Sequence, residues 1–129
     1  VATEDPRAFL DGLVGLVATA NERAAGLWSA FTTAARSDDA VAAELGALLE
    51  RRRTDLRASV DLLASHGFTL HGPRERAAET LSYLVAPESY THFVLGAGWS
   101  GTAYRAWLRD AVVRLVAAPP GEEPPRPRR

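Results

Sequence analysis

Apolar residues recur along this chain three and four positions apart, a spacing that predicts amphipathic helices from end to end. The first should start at Asp5, whose side chain can cap free backbone N–H groups, with Pro6 in the first turn where its missing N–H costs nothing. Phe9, Leu13, Leu16, Val17 and Ala20 then share a face, and Leu10 and Val14 widen it, so this helix is expected to be covered on more than one side. The pattern shifts at Asn21 and Glu22. Ala24, Leu27, Trp28, Phe31 and Ala35 predict a second, shorter helix, stopped by Ser37, Asp38 and Asp39.

Those acidic residues suit the positive end of a long third helix, with Val41, Leu45, Leu48, Leu49, Leu56, Val60 and Leu63 at helical spacing over about seven turns. Gly67 marks its end. On its outer face Arg51 and Asp55, and Arg57 and Asp61, stand four residues apart, as ion pairs on one helix do. A loop from Phe68 to Gly72 leads to Pro73 and a fourth helix striped by Ala77, Leu81, Leu84 and Val85. Pro87 must bend or split it, because proline removes a backbone hydrogen bond and crowds the preceding turn. Tyr90, Phe93 and Val94 carry the apolar face onward to Gly96, Ala97 and Gly98. Ser100 can cap a last helix striped by Tyr104, Trp107, Leu108, Ala111, Val112 and Leu115. Val113 and Val116 add a second edge, wider than one neighbour needs, so that helix is expected to bury surface against another subunit.

The pattern therefore predicts an all-α, single helical-bundle domain of five to six helices over residues 1–117. Residues 118–129 read as a Pro/Arg-rich flexible tail. The 129 residues suffice for one core. All 15 positive side chains are Arg and there is no Cys or Met, so a GC-rich coding sequence and a longer parent chain preceding Val1 are expected. A net charge of −1 argues against an autonomous nucleic-acid binder. No apolar run approaches a membrane span and no signal-peptide pattern opens the chain, so no membrane partner is expected.

Reactive groups do not converge. Gly98-Trp99-Ser100-Gly101-Thr102 lacks the last glycine of a nucleophile elbow and has no strand before it, so Ser100 reads as a helix cap. His66 and His71 flank a glycine turn without ligand spacing, and Gly96-x-Gly98 follows a helix, so neither a metal nor a dinucleotide is expected. No catalytic residue, metal site or cofactor is assigned, and the chain reads as a non-enzyme. Arg51–Arg53 is an ordinary solvated run, except that Arg52 lies near the line from Leu48 to Leu56 and can turn inward toward an acidic ligand or a buried carboxylate. Phe9, Trp28, Phe31 and Tyr83 read either as plain core or as the walls of a cavity, to which Thr32, Thr33 and Tyr83 would add polar groups. His92, one turn after Glu88, reads as half of an exposed Glu–His pair or, alternatively, as a contact in dimer packing or with a ligand.

The segment LSYLVAPESYTHFVLGAGWSGTAYRAWLRDAVVRLV, Leu81 to Val116, combines an Ala-Pro-Glu step, a Gly-Trp-Ser hinge and a closing Tyr-x-x-Trp-Leu helix. With LLERRRTDLRASV at Leu48–Val60, it resembles the C-terminal domain of TetR-family transcriptional regulators, over nearly all of Asp5 to Val116. The resemblance implies a cytoplasmic homodimer whose last two helices form a four-helix bundle, with Pro87, Tyr90, Phe93, Val94, Trp99, Tyr104, Trp107, Leu108 and Ala111 at the interface. It also implies a small-molecule effector, largely apolar or aromatic, in a cavity enclosed by the first four helices. Phe9, Leu13, Trp28, Phe31, Thr32, Arg52, Leu56, Val60 and Tyr83 would line it. DNA would be reached only through an N-terminal helix-turn-helix absent from these residues. His92 departs from the pattern, standing where the family usually has an apolar residue. The competing class is a stand-alone helical dimerisation module without a ligand cavity.

Overall fold

Asp5 accepts from the Arg7 N–H at 3.1 Å and Pro6 opens the first turn, so α1 (Pro6–Ala35) starts where its cap predicts. A computed structural model describes residues 5–121. The helix does not stop at Asn21. Neither Asn21 nor Glu22 breaks a helix, and the Asn21 side chain turns inward to donate to distant carbonyls, so the two expected helices are one of 30 residues. The expected stripe is also rotated: Leu10, Val14, Ala18, Asn21 and Ala25 are buried, Phe9, Leu13 and Val17 flank them, and Leu16 faces outward.

Asp38 accepts from the N–H groups of Ala40 and Val41 and starts α2 (Asp39–Ser65), which returns along α1. Leu56, Val60 and Leu63 are its buried residues. The expected pairing of Arg57 with Asp61 is replaced by bonds across to α3 (Arg74–Leu84). Arg57 pairs with Glu75 at 3.1 Å, and Arg74 holds both oxygens of Asp61 at 2.6 and 2.7 Å. A guanidinium fork matches a carboxylate better than two side chains projecting from one helix.

Beyond α2, Gly67 adopts φ 88°, and a Cβ there would stand 2.9 Å from the Pro120 ring. The expected loop after it contains a short strand, β1 (Thr69–Leu70), paired antiparallel with β2 (Ala117–Ala118). Two residues carry no alternation to detect, and their partner lies near the other end of the chain. The pairing carries the folded chain past the expected boundary at 117, for Ala118 and Pro119 are buried; the remainder of the expected tail, 122–129, lies outside the described residues.

Pro87 splits the fourth expected helix. α3 ends at Leu84 and α4 (Pro87–Tyr90) restarts from the proline, running into a π-helical turn at Thr91–Gly96. Gly98 at φ 78° then reverses the chain, and Ser100 caps α5 (Gly101–Leu115) by accepting from the Ala103 N–H at 3.1 Å. Among the described residues the fold is thus all-α, one domain of five α-helices with a sheet of two two-residue strands. Its core joins Leu10 and Val14 of α1, Val60 and Leu63 of α2, Leu81 of α3, and Tyr104, Leu108 and Val112 of α5.

Candidate functional site

The break at Pro87 leaves the last carbonyls of α3 without helical donors, and it is buried, so side chains must supply them. Asn21 Nδ2 donates to the carbonyl oxygens of Val85 at 3.0 Å and Ala86 at 3.5 Å, and to the Tyr104 hydroxyl at 3.2 Å. Ser89 Oγ donates within its own turn, toward Leu84 O at 3.0 Å and Ala86 O at 2.9 Å, and shares a 2.7 Å hydrogen bond with Tyr104. Side chains from α1, α4 and α5 therefore meet at one proline-made defect. No buried side-chain polar atom among the described residues is left without a partner.

Outside this network lies an aromatic cluster. Phe93 on the π turn stacks on Trp99 with ring centroids 4.3 Å apart and meets Trp107 of α5 at 4.6 Å, while Trp107 stacks on Tyr104 at 6.0 Å. The wide π turn closes with the Trp99 N–H on the Phe93 carbonyl at 2.9 Å, which brings the two rings together. Against it opens a groove of about 440 Å³, with Tyr83, Glu88, His92, Phe93 and Trp107 among its walls. Trp28 Nε1 donates to Glu88 Oε1 at 2.9 Å, and Arg52 Nη2 donates to the Ser82 carbonyl at 3.0 Å, so both tie the α1/α2 hairpin to this region. Burial lowers the affinity of the half-buried Arg52 guanidinium for its proton, and the nearby Glu88 carboxylate opposes that effect. Arg52 does turn inward, toward a carbonyl oxygen. Glu88 takes Trp28 as its hydrogen-bond partner in place of the expected His92, which stands edge-on to Phe93 at 4.8 Å.

The residues expected to line an effector cavity go to three places. Leu56 and Val60 are core, with Leu13 packed against it, and Phe9 stacks on His66 with centroids 3.9 Å apart. Phe31 borders an open cleft of about 420 Å³ with Leu27, Ala30 and Val41, and Thr32 bonds back to the Ser29 carbonyl. Tyr83, 83% exposed, belongs to the groove beside Glu88, to which Trp28 and Arg52 are joined. Between α1, α2 and α3 the expected cavity is filled by Leu10, Val14, Leu63 and Leu81.

Of the residues expected at a dimer interface, Tyr104 and Leu108 are fully buried within the single chain, and Pro87 and Ala111 are buried too, leaving these four almost no surface for a partner. Tyr90 meets Tyr104 edge-on at 5.5 Å and, with Val94, borders a smaller cleft of about 280 Å³. Phe93, Trp99 and Trp107 are half-buried and reach the surface. The outward face of α5 joins Trp107 to Asp110, Arg114 and Leu115. The amphipathic stripe concealed Asp110 and Arg114 and placed Leu115 with the inward residues, because it records which side of α5 is most apolar and not what covers it. Glu88 and Asn21 gave no local signal, since their partners lie 60 or more residues away.

The histidines near Gly67 have structural partners: besides its stacking, His66 Nδ1 lies 2.9 Å from Leu62 O, and His71 Nε2 lies 2.6 Å from Val113 O. Among the described residues no group of three or more His, Cys, Asp or Glu side chains is placed to hold a metal, and no helix is long and apolar enough to cross a membrane. Comparison of the chain with protein-family models, curated proteins and solved structures finds no match.

Proposed function

We propose that this chain is the regulatory domain of a transcriptional regulator resembling the TetR family, responding to a small molecule and pairing with a second copy through its closing helices. The observation that carries the reading is the outward face of those helices. Phe93 and Trp107 reach the surface beside Leu115, which is 55% exposed, with Asp110 and Arg114 on the same face. A two-fold partner covers such a face with its own copy of it, so that each Asp110 can meet the other chain's Arg114. In a longer parent with helix-turn-helix heads, an effector that favours one spacing of the pair controls whether both heads reach successive major grooves, about 34 Å apart. DNA contact then belongs to the heads, the setting is the cytoplasm, and this domain performs no catalysis.

A second reading, a stand-alone helical dimerisation module, is favoured by one observation: core side chains fill the space between α1, α2 and α3 where an effector was expected. Sedimentation velocity tests what the two share. The chain should sediment as a dimer, and Trp107→Arg as a monomer that keeps its helical circular dichroism. A chain that is monomeric at every concentration overturns both. A thermal-shift screen of small molecules then separates them, since only the regulatory domain is stabilised by an effector.

A further inference from the structure

We propose that the groove lined by Tyr83, Phe93, Trp107 and Glu88 is a binding site for a flat aromatic cation. The site goes beyond the regulatory reading: a single chain supplies every wall, and since Phe93 and Trp107 also lie on the face proposed to pair, it is a site of the unpaired chain.

Its size comes first. About 440 Å³ falls within the usual range for small-molecule sites and admits a two-ring compound. Its walls come next. The Phe93 and Trp107 rings are fixed before any ligand arrives, Phe93 by stacking on Trp99 and Trp107 by stacking on the fully buried Tyr104. Tyr83, at 83% exposure, is free to close over a bound ring. A positive charge placed among aromatic faces is attracted by their quadrupoles, and a neutral ring of the same shape is not.

Glu88 supplies the one formal charge of opposite sign in the groove. The Trp28 indole holds Oε1 at 2.9 Å, and Oε2 makes no hydrogen bond among the described residues, so the carboxylate is both oriented and available. Arg52 does not line the groove and donates to the Ser82 carbonyl, but its charge acts on Glu88 and offsets part of the carboxylate's attraction, so the aromatic walls must supply the rest of the preference for a cation. His92 borders the same space and adds a further aromatic edge.

The test titrates the chain with N-methylquinolinium and with methylnaphthalene, its neutral counterpart in shape, following tryptophan fluorescence and heat. The cation should saturate one site per chain, with the neutral compound about tenfold weaker or more. Glu88→Gln keeps an acceptor for Trp28 and an unchanged melting temperature, and should weaken the cation about fivefold while leaving the neutral compound as it was. Tyr83→Ala removes an exposed ring without touching the core and should weaken the cation by a similar factor. Equal binding of the two compounds, unchanged binding by either variant, or no saturation overturns the proposal. Because Phe93 and Trp107 also lie on the face proposed to pair, the titrations are run in parallel on Leu115→Arg, which leaves every wall of the groove in place and removes an apolar contact of the pairing face, so the site and the regulatory reading fail separately.

Discussion

Asn21 occupies a position where the stripe of α1 calls for an apolar side chain, and its burial is tolerable only because acceptors converge on it from two other elements. A buried polar group without partners costs about 1–3 kcal/mol, and this one serves two carbonyls and a phenol at once. Asn21→Leu should therefore lower stability by about 3 kcal/mol in urea unfolding, although it restores the apolar pattern. Tyr104→Phe keeps the ring packing and should cost about 1 kcal/mol, with the two effects non-additive because they share a hydrogen bond. Ser100 is the opposite case. Its role was legible because a cap and the N–H it serves lie three residues apart. Ser100→Ala should cost about 1 kcal/mol and Ser100→Asp almost nothing, an order that a nucleophile would not produce.

At the scale of elements, starts were easier to read than joins. Asp5, Asp38 and Ser100 each cap a helix through the side chain, and Pro73 and Pro87 mark starts without such a cap because the proline ring fixes φ and lacks an N–H; both devices act within one turn. The continuity of α1 was not legible, since a shift in apolar phase at Asn21 looks the same whether the helix stops or turns a polar side chain inward. The α2–α3 join shows how charge follows packing. Asp61 is held below the ordinary carboxylate range, first by its hydrogen bonds from Arg74 and then by that charge, with desolvation opposing. A carboxyl whose pKa is lower in the folded state contributes stability above its unfolded pKa and loses it as pH falls through the folded value. Unfolding curves of the native chain and Asp61→Asn should accordingly differ at neutral pH and converge in acid. The difference should shrink with added salt, because both partners are exposed.

Across the whole molecule, burial is lopsided. Residues 26–55, the far half of the α1/α2 hairpin, contribute no buried side chain, while the core gathers where α1, α2, α3 and α5 meet. Trp28 and Arg52 anchor that hairpin to the proline break and so couple it to the aromatic groove. On the opposite account of the surface, Leu115 belongs to no part of the core, so Leu115→Arg separates folding from association better than Trp107→Arg. It should leave the melting temperature of the monomer unchanged and raise the dimer dissociation constant by about tenfold or more. The sequence by itself determined the helical class, the helix starts and the break at Pro87, because periodicity, capping and a missing N–H act over a few residues. The tertiary structure alone decided the unbroken course of α1, the two-stranded sheet, the partners of Asn21 and Glu88, and which face of α5 stays in water. Those outcomes depend on groups brought together from distant parts of the chain, and no local pattern encodes which of two apolar faces another helix will cover.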